Sequence, residues 1–139
     1  MTFKTTIALP VRFADVDSMG HVNNAKYFTY FEEARVAYFK KVPELDFRQF
    51  GGGHRRSFIL AEVSCQFKSP AVLGETLVVS AGVTSTGRSS FVMEYEMIEE
   101  SSYRLVAIGR SAQVYFDYET GKSLPLPEEI KQRFVEIEK

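Results

Sequence analysis

The chain has 139 residues, of which 45% are apolar and 14% aromatic, enough to bury a core as one domain over residues 1–139. Seventeen Lys and Arg against eighteen Asp and Glu leave a net charge of -1, with no basic excess of the kind nucleic-acid binders carry. Cys65 is the single cysteine, which excludes an internal disulfide framework and points to a reducing, cytoplasmic setting. Met1–Pro10 lacks the apolar core of a signal peptide, and no stretch approaches the ~18 apolar residues of a membrane span.

Ile7, Leu9, Val11 and Phe13 alternate with polar or small neighbours, the period of a half-buried strand. Pro10 inside that run places it at a sheet edge or a bulge. Turn-forming residues from Ala14 to Gly20 then break it.

The spacing from about Asn24 to Lys41 predicts one long helix. Tyr27, Phe31, Ala34 and Tyr38 form a stripe, and Phe28, Tyr30 and Phe39 widen it until the helix needs cover on most sides. Asn23 or Asn24 supplies the N-cap, and Pro43 stops the far end. Residues 43–56 read as a loop centred on Gly51, Gly52 and Gly53 and followed by His54, Arg55 and Arg56.

Four strand patterns follow. They run through Ala61–Phe67, through Leu77–Val83, through Phe91–Met97 and across residues 103–117, where Val106, Ile108, Ala112, Val114 and Phe116 mark the expected inner face. The turns between them are short, which favours antiparallel neighbours. A short polar helix is expected from about Pro127 to Ile137. The resulting class is α+β, an antiparallel five-stranded sheet wrapped around one long central helix.

The segment richest in chemistry runs from Arg12 to Asn24 and holds Asp15, Asp17, Gly20, His21 and Asn23 at the entrance to that helix. A helix N-terminus presents unpaired N–H groups and positive charge, which suits a developing oxyanion. A carboxylate a few residues earlier suits attack on a carbonyl or activation of water. Gly20 permits close backbone approach or a positive φ. The same residues also serve as ordinary turn formers and caps: Asp15 for the turn, Asn23 for the helix, His21 as a surface side chain.

Asp17-x-x-Gly20-His21-Val22-Asn23-Asn24, followed by Glu32-Glu33-Ala34-Arg35 on the aromatic helix, resembles the 4-hydroxybenzoyl-CoA thioesterase family of hotdog enzymes. The resemblance runs from about Thr5 to Phe116 and includes the Pro70-x-x-x-Gly74-Glu75 turn. It implies a hotdog fold and hydrolysis of an acyl-CoA thioester to a free acid and coenzyme A, without metal or redox cofactor. It places the catalytic carboxylate on Asp17, as nucleophile or general base. The carbonyl-polarising N–H falls near Asn24, with Val22 and Asn23 as walls, and His21 stands as a positioning or proton-transfer candidate. It also implies a homo-oligomer, dimer or tetramer, with sites at the interface.

Arg55 with His54 and Arg56, and Arg88 with Ser89, are candidates for coenzyme A phosphates or plain solvated side chains. Glu32 and Arg35 read as a local ion pair, and Cys65 as core. Two other functions fit the same residues: an acyl-acyl-carrier-protein thioesterase, and a non-catalytic acyl-CoA-binding protein.

Overall fold

A computed structural model describes residues 3–45 and 56–139, with the backbone alone at Arg56. The elements in chain order are β1 (Thr5–Pro10), α1 (Asn24–Phe39), β2 (Arg56–Phe67), β3 (Thr76–Thr86), β4 (Ser90–Glu99), β5 (Leu105–Asp117), β6 (Lys122–Ser123) and α2 (Glu128–Glu138). A one-turn 3-10 helix, Phe13–Asp15, stands between β1 and α1. The glycine-rich loop with Gly51, Gly52, Gly53, His54 and Arg55 lies outside the described residues.

The sheet is antiparallel in the order β1-β3-β4-β5-β2, and the two-residue β6 pairs with β5. Five strands carry it, as expected; β6 is an addition that a two-residue segment does not announce by period. Pro10 ends β1, an edge strand where the missing N–H is tolerated. Register shifts interrupt β2 after Leu60 and β3 after Val83, and a third falls on β5, where Val106 is skipped opposite Met97 and Ile98 of β4. Such bulges bend strands, and here the bent sheet closes over α1.

Asn23 caps α1, its side chain accepting from the Ala25 amide. Tyr27, Tyr30, Phe31, Ala34, Tyr38 and Phe39 are buried along the helix. They meet Leu77, Val79 and Ala81 of β3 and Phe91, Met93, Tyr95 and Met97 of β4 in one core. The helix stops at Phe39, with Lys40 as C-cap, a few residues short of Pro43.

Two expectations are corrected, and one is borne out with an addition. The first strand does not continue to Phe13, which is 80% exposed on the 3-10 helix, because the chain turns after Val11 to carry Asp15 inward. On β5 the helix-facing side holds Gly109, Ser111 and Gln113, while Ile108, Ala112, Val114 and Phe116 are only half-buried. Polar residues sit there because they satisfy one another. The Tyr95 hydroxyl and Ser111 Oγ are 2.6 Å apart, Ser111 pairs with Gln113 Oε1, and Gln113 Nε2 donates to Phe91 O at 3.2 Å. Finally, the polar C-terminal helix buries Ile130 and Phe134, and Phe134 packs 4.8 Å from Phe91. No helix among the described residues is long and apolar enough to cross a membrane.

Candidate active site

Between the 3-10 helix and α1 the chain folds into a closed loop. Val16 and Val22 form an isolated antiparallel bridge. Inside it the Asp17 amide donates to His21 O at 2.8 Å, and the Gly20 amide donates to Asp17 O at 3.0 Å. Gly20 has φ +83°, and a Cβ there would meet nothing within 4 Å. Its requirement is therefore backbone conformation, not space.

Two anchors hold the loop. On the inner side Asp15 is 1% exposed. Its Oδ2 accepts from the Arg12 amide at 3.1 Å and from the Tyr30 hydroxyl at 2.8 Å, and its Oδ1 accepts from Arg12 Nη2 at 3.1 Å. Burial alone would raise the Asp15 carboxyl; the bonds from Arg12 and Tyr30 more than offset it and hold it below the usual range. Asp15 O also accepts from the Asn23 amide at 2.8 Å, which fixes the start of α1. On the other side the Val22 amide donates to Ala71 O at 2.8 Å, and His21 bridges to Val72.

Asp17 is exposed, and its Oδ1 accepts from the Met19 amide at 2.9 Å. This bond orients the carboxylate toward the loop it opens, while Oδ2 accepts none among the described residues. Asn23 is occupied as the helix cap. Asn24 is the first helical residue, and its N–H has no partner among the described residues, as expected of a first helical amide.

A cleft of about 330 Å³ opens between the first turn of α1 and the end of β2, lined by His21, Val22, Asn24, Tyr27 and residues 67–70. Tyr27 and Phe67 meet edge to face at 4.9 Å on its wall. Burial raises the Tyr27 phenol, so it stays protonated as a donor through neutral pH. Asp17 reaches this cleft through the backbone of His21, without lining it. Another cleft, of about 290 Å³ on the outer sheet face by Ser64, Glu94 and Arg110, includes none of the motif residues.

The structure thus brings together Asp17, Gly20, His21, Val22, Asn23 and Asn24. It does not bring Arg88 and Ser89 to them within one chain. Those two sit in the β3–β4 turn, at the other end of β3 from the cleft, roughly 33 Å away at ~3.3 Å per residue. Arg55 lies outside the described residues. Glu32 and Arg35 do pair, at 3.9 Å, and Arg35 Nη1 also donates to the Tyr95 hydroxyl at 3.1 Å. Cys65 is half-buried against the core, and burial pushes its thiol up to about 11, away from nucleophilic character.

Sequence reasoning missed the wall made by Lys68, Ser69 and Pro70 beside Phe67, and took Tyr27 as core alone. Tyr27 is both buried and a cleft residue. The Pro70-x-x-x-Gly74-Glu75 turn was the available signal, since it follows directly on that wall.

The chain is 31% identical to a thioesterase from Thermus thermophilus solved in complex with coenzyme A and Zn, over 99% of this chain and 96% of that one, with a TM-score of 0.84. It is 26% identical over 131 residues to the long-chain acyl-CoA thioesterase FadM of Escherichia coli (strain K12), covering 94% of this chain and 97% of the relative. The 1,4-dihydroxy-2-naphthoyl-CoA thioesterase Slr0204 from Synechocystis shares 24% identity over 97% of this chain and 96% of its own, and its TM-score of 0.85 shows the same fold. The sheet wrapped around α1 is the hotdog arrangement the sequence led us to expect. The model of the thioesterase-like superfamily matches residues 11–134, from the end of β1 into α2, and the chain belongs to that superfamily.

Proposed function

We infer that this chain is an acyl-CoA thioesterase, hydrolysing an acyl-CoA thioester with water to a free carboxylic acid and coenzyme A. One observation carries the reading: an N–H at the start of α1 with no partner among the described residues and the exposed Asp17 carboxylate belong to a single hydrogen-bonded loop beside a cleft. The family of the chain and its named relatives support the same reaction.

In this mechanism the thioester carbonyl oxygen lies against the Asn24 N–H, where the helix dipole stabilises the charge that develops on it. The Asp17 carboxylate either attacks the carbonyl carbon, forming an acyl anhydride that water then hydrolyses to the free acid with return of the carboxylate, or takes a proton from the attacking water and passes it on to solvent. Coenzyme A leaves as a thiolate and is protonated from water. His21 borders the cleft and positions the loop through its carbonyl, while Val22 and Asn23 form the wall beneath it.

The enzyme works as a homodimer in this reading, with tetramers built from dimers. The twelve-residue β2 is an edge strand with no neighbour on its outer side among the described residues, the kind of edge that invites a partner strand. A twofold axis pairs two such edges antiparallel and carries the start of one β2 to the end of the other. Ser89 O accepts from the Tyr115 amide, and Tyr115 pairs with Phe58 near the start of β2. Arg88 and Ser89 then approach the cleft of the second copy as contacts for coenzyme A phosphates. A reducing, cytoplasmic location suits the free Cys65, and residues 1–139 act as one domain.

The test is thiol release from a panel of aromatic and long-chain acyl-CoAs by wild type and Asp17→Asn. Loss of a key catalytic group costs ~10²–10⁴-fold, and a loss of that size in a folded variant supports the reading. Turnover of acyl groups only on acyl carrier protein would move the substrate to that carrier. Tight acyl-CoA binding without turnover, unchanged in Asp17→Asn, would replace the enzyme with a binding protein.

A further inference from the structure

Among the described residues the Asp17 loop has no side-chain anchor on its Val22 side. It rests there on two backbone contacts, the Val22 amide to Ala71 O and the His21–Val72 bridge. What holds residues 69–75 in place therefore sets the position of the catalytic loop. Backbone bonds from Ser69 to Val106 O and from Val11 to Glu75 O tether the two ends of that segment, and one side chain spans between them. Arg104 Nε donates to Ser69 Oγ at 3.0 Å, its Nη1 to Glu75 Oε2 at 2.9 Å, and its Nη2 to both Glu75 Oε1 at 2.9 Å and Pro70 O at 3.0 Å. Glu75 Oε1 in turn accepts from the Val72 amide at 2.9 Å, so the ion pair reaches the residue that bridges to His21.

Arg104 is aimed from an unusual backbone. Tyr103, just before it, has φ +59°, a left-handed conformation in a non-glycine residue whose own side chain is 77% exposed. Among the described residues the Tyr103 side chain makes no hydrogen bond or ring contact that repays that conformation. It lets the Tyr103 amide donate to Glu99 O and Arg104 O accept from the Glu99 amide, both at 2.9 Å, which turns the Arg104 guanidinium onto the 69–75 turn. Partly exposed ion pairs contribute little to stability. The bidentate fork does supply fixed geometry.

We propose that Arg104, through its fork on Glu75, Ser69 and Pro70, is a positioning residue that holds the Ala71–Val72 rung against which the Asp17 loop docks. This rests on the Asp17 reading above. Arg104 acts on turnover without touching substrate, since an error near 1 Å in the reacting groups costs ~10²-fold.

The experiment compares wild type, Arg104→Met, Arg104→Lys, Glu75→Gln and Asp17→Asn by steady-state kinetics, circular dichroism and amide hydrogen exchange. Arg104→Met lowers kcat about 10- to 100-fold with KM within about twofold, and Arg104→Lys, which keeps the charge without the fork, recovers part of it. Exchange at the Val22 amide quickens in Arg104→Met. Should that variant not fold, Glu75→Gln, which keeps the shape of the acceptor, reads the same kcat loss and faster exchange. An unchanged kcat in a folded variant overturns the proposal. So does a raised KM at constant kcat, which would make Arg104 a substrate contact, or undiminished protection at Val22. Failure of the thioesterase reading is seen separately, as a wild type that releases no thiol or an Asp17→Asn that loses nothing.

Discussion

The Tyr30 hydroxyl donates a 2.8 Å hydrogen bond to the Asp15 carboxylate, joining the second turn of α1 to the residue two before Asp17. The carboxylate is 1% exposed and Tyr30 3% exposed, so the bond is shielded from water. Bonds to charged groups contribute ~1.5–3 kcal/mol. Tyr30→Phe removes the donor and leaves Arg12, largely solvent-exposed, as the remaining side-chain partner. The expected outcome is a loss of about 1.5–3 kcal/mol in denaturant unfolding, with a lower kcat as the Asp17 loop loosens. Tyr30→Phe with unchanged stability would show that the Arg12 bonds alone hold Asp15.

Acid should weaken the fold in a defined window. The Asp15 carboxyl is held below its ordinary range by Arg12 and Tyr30 against the cost of burial, and the Glu75 carboxyl chiefly by the hydrogen bonds from Arg104. A carboxyl whose folded pKa is depressed binds its proton more weakly in the folded state than in the unfolded one. Its contribution is complete above the unfolded pKa, near 4, and fades as pH falls through the lower folded value. Unfolding free energy should therefore be level from pH 7 to about 5 and fall below about 4, with a shallower fall in Glu75→Gln. The alkaline side has the opposite sign. Burial, then the bond to Asp15, raises the Tyr30 phenol, so its contribution is complete below pH ~10 and is lost above it. Denaturant titrations from pH 2 to 11 check both limbs, and a level acid limb between pH 5 and 2 would contradict the strength assigned to the two carboxylate clusters.

Local chemistry made the site loop legible. Asn23 caps α1, Gly20 takes positive φ, and Asp17 to Asn24 form one loop, all from residues within eight positions of each other. The alternations of β3 and β4 were equally plain, since their inner faces are uniformly apolar from Leu77 to Val83 and from Phe91 to Met97. The inner face of β5 was not. Ser111 and Gln113 look like solvent residues until Tyr95, on another strand, supplies their partner. Arg104 escaped notice for the same reason, since its partner Glu75 is 29 residues earlier and only the hairpin geometry brings them together. Asp15 read as a turn former because its buried partner Tyr30 lies across the loop on α1. Contacts within a turn or a period are written locally; buried polar pairs between elements are not.

Gly109 offers a sharper test of how α1 is seated. The Phe31 ring lies over it, so that a Cβ at Gly109 would sit 2.5 Å from the ring Cε2 and 2.6 Å from Cζ. Phe31 is also fully buried and stacks on Tyr95 with centroids 4.8 Å apart, which leaves the ring little freedom to retreat. Two opposed effects follow from Gly109→Ala. Removing a glycine from a strand restricts the unfolded chain and gains ~0.5–1 kcal/mol. Forcing a methyl into a filled core costs ~1–3 kcal/mol. At a clash below 3 Å against a pinned ring the second effect wins, and net destabilisation of about 1–2 kcal/mol is expected. The pair Phe31→Leu and Gly109→Ala separates this clash from any backbone effect. Phe31→Leu alone loses packing, but the added methyl then occupies part of the space the ring vacated, so the double variant should be more stable than the sum of the single losses predicts. Additive losses would place the cost of Gly109→Ala in the strand backbone, and the close approach of α1 to the sheet would no longer be what selects glycine at this position.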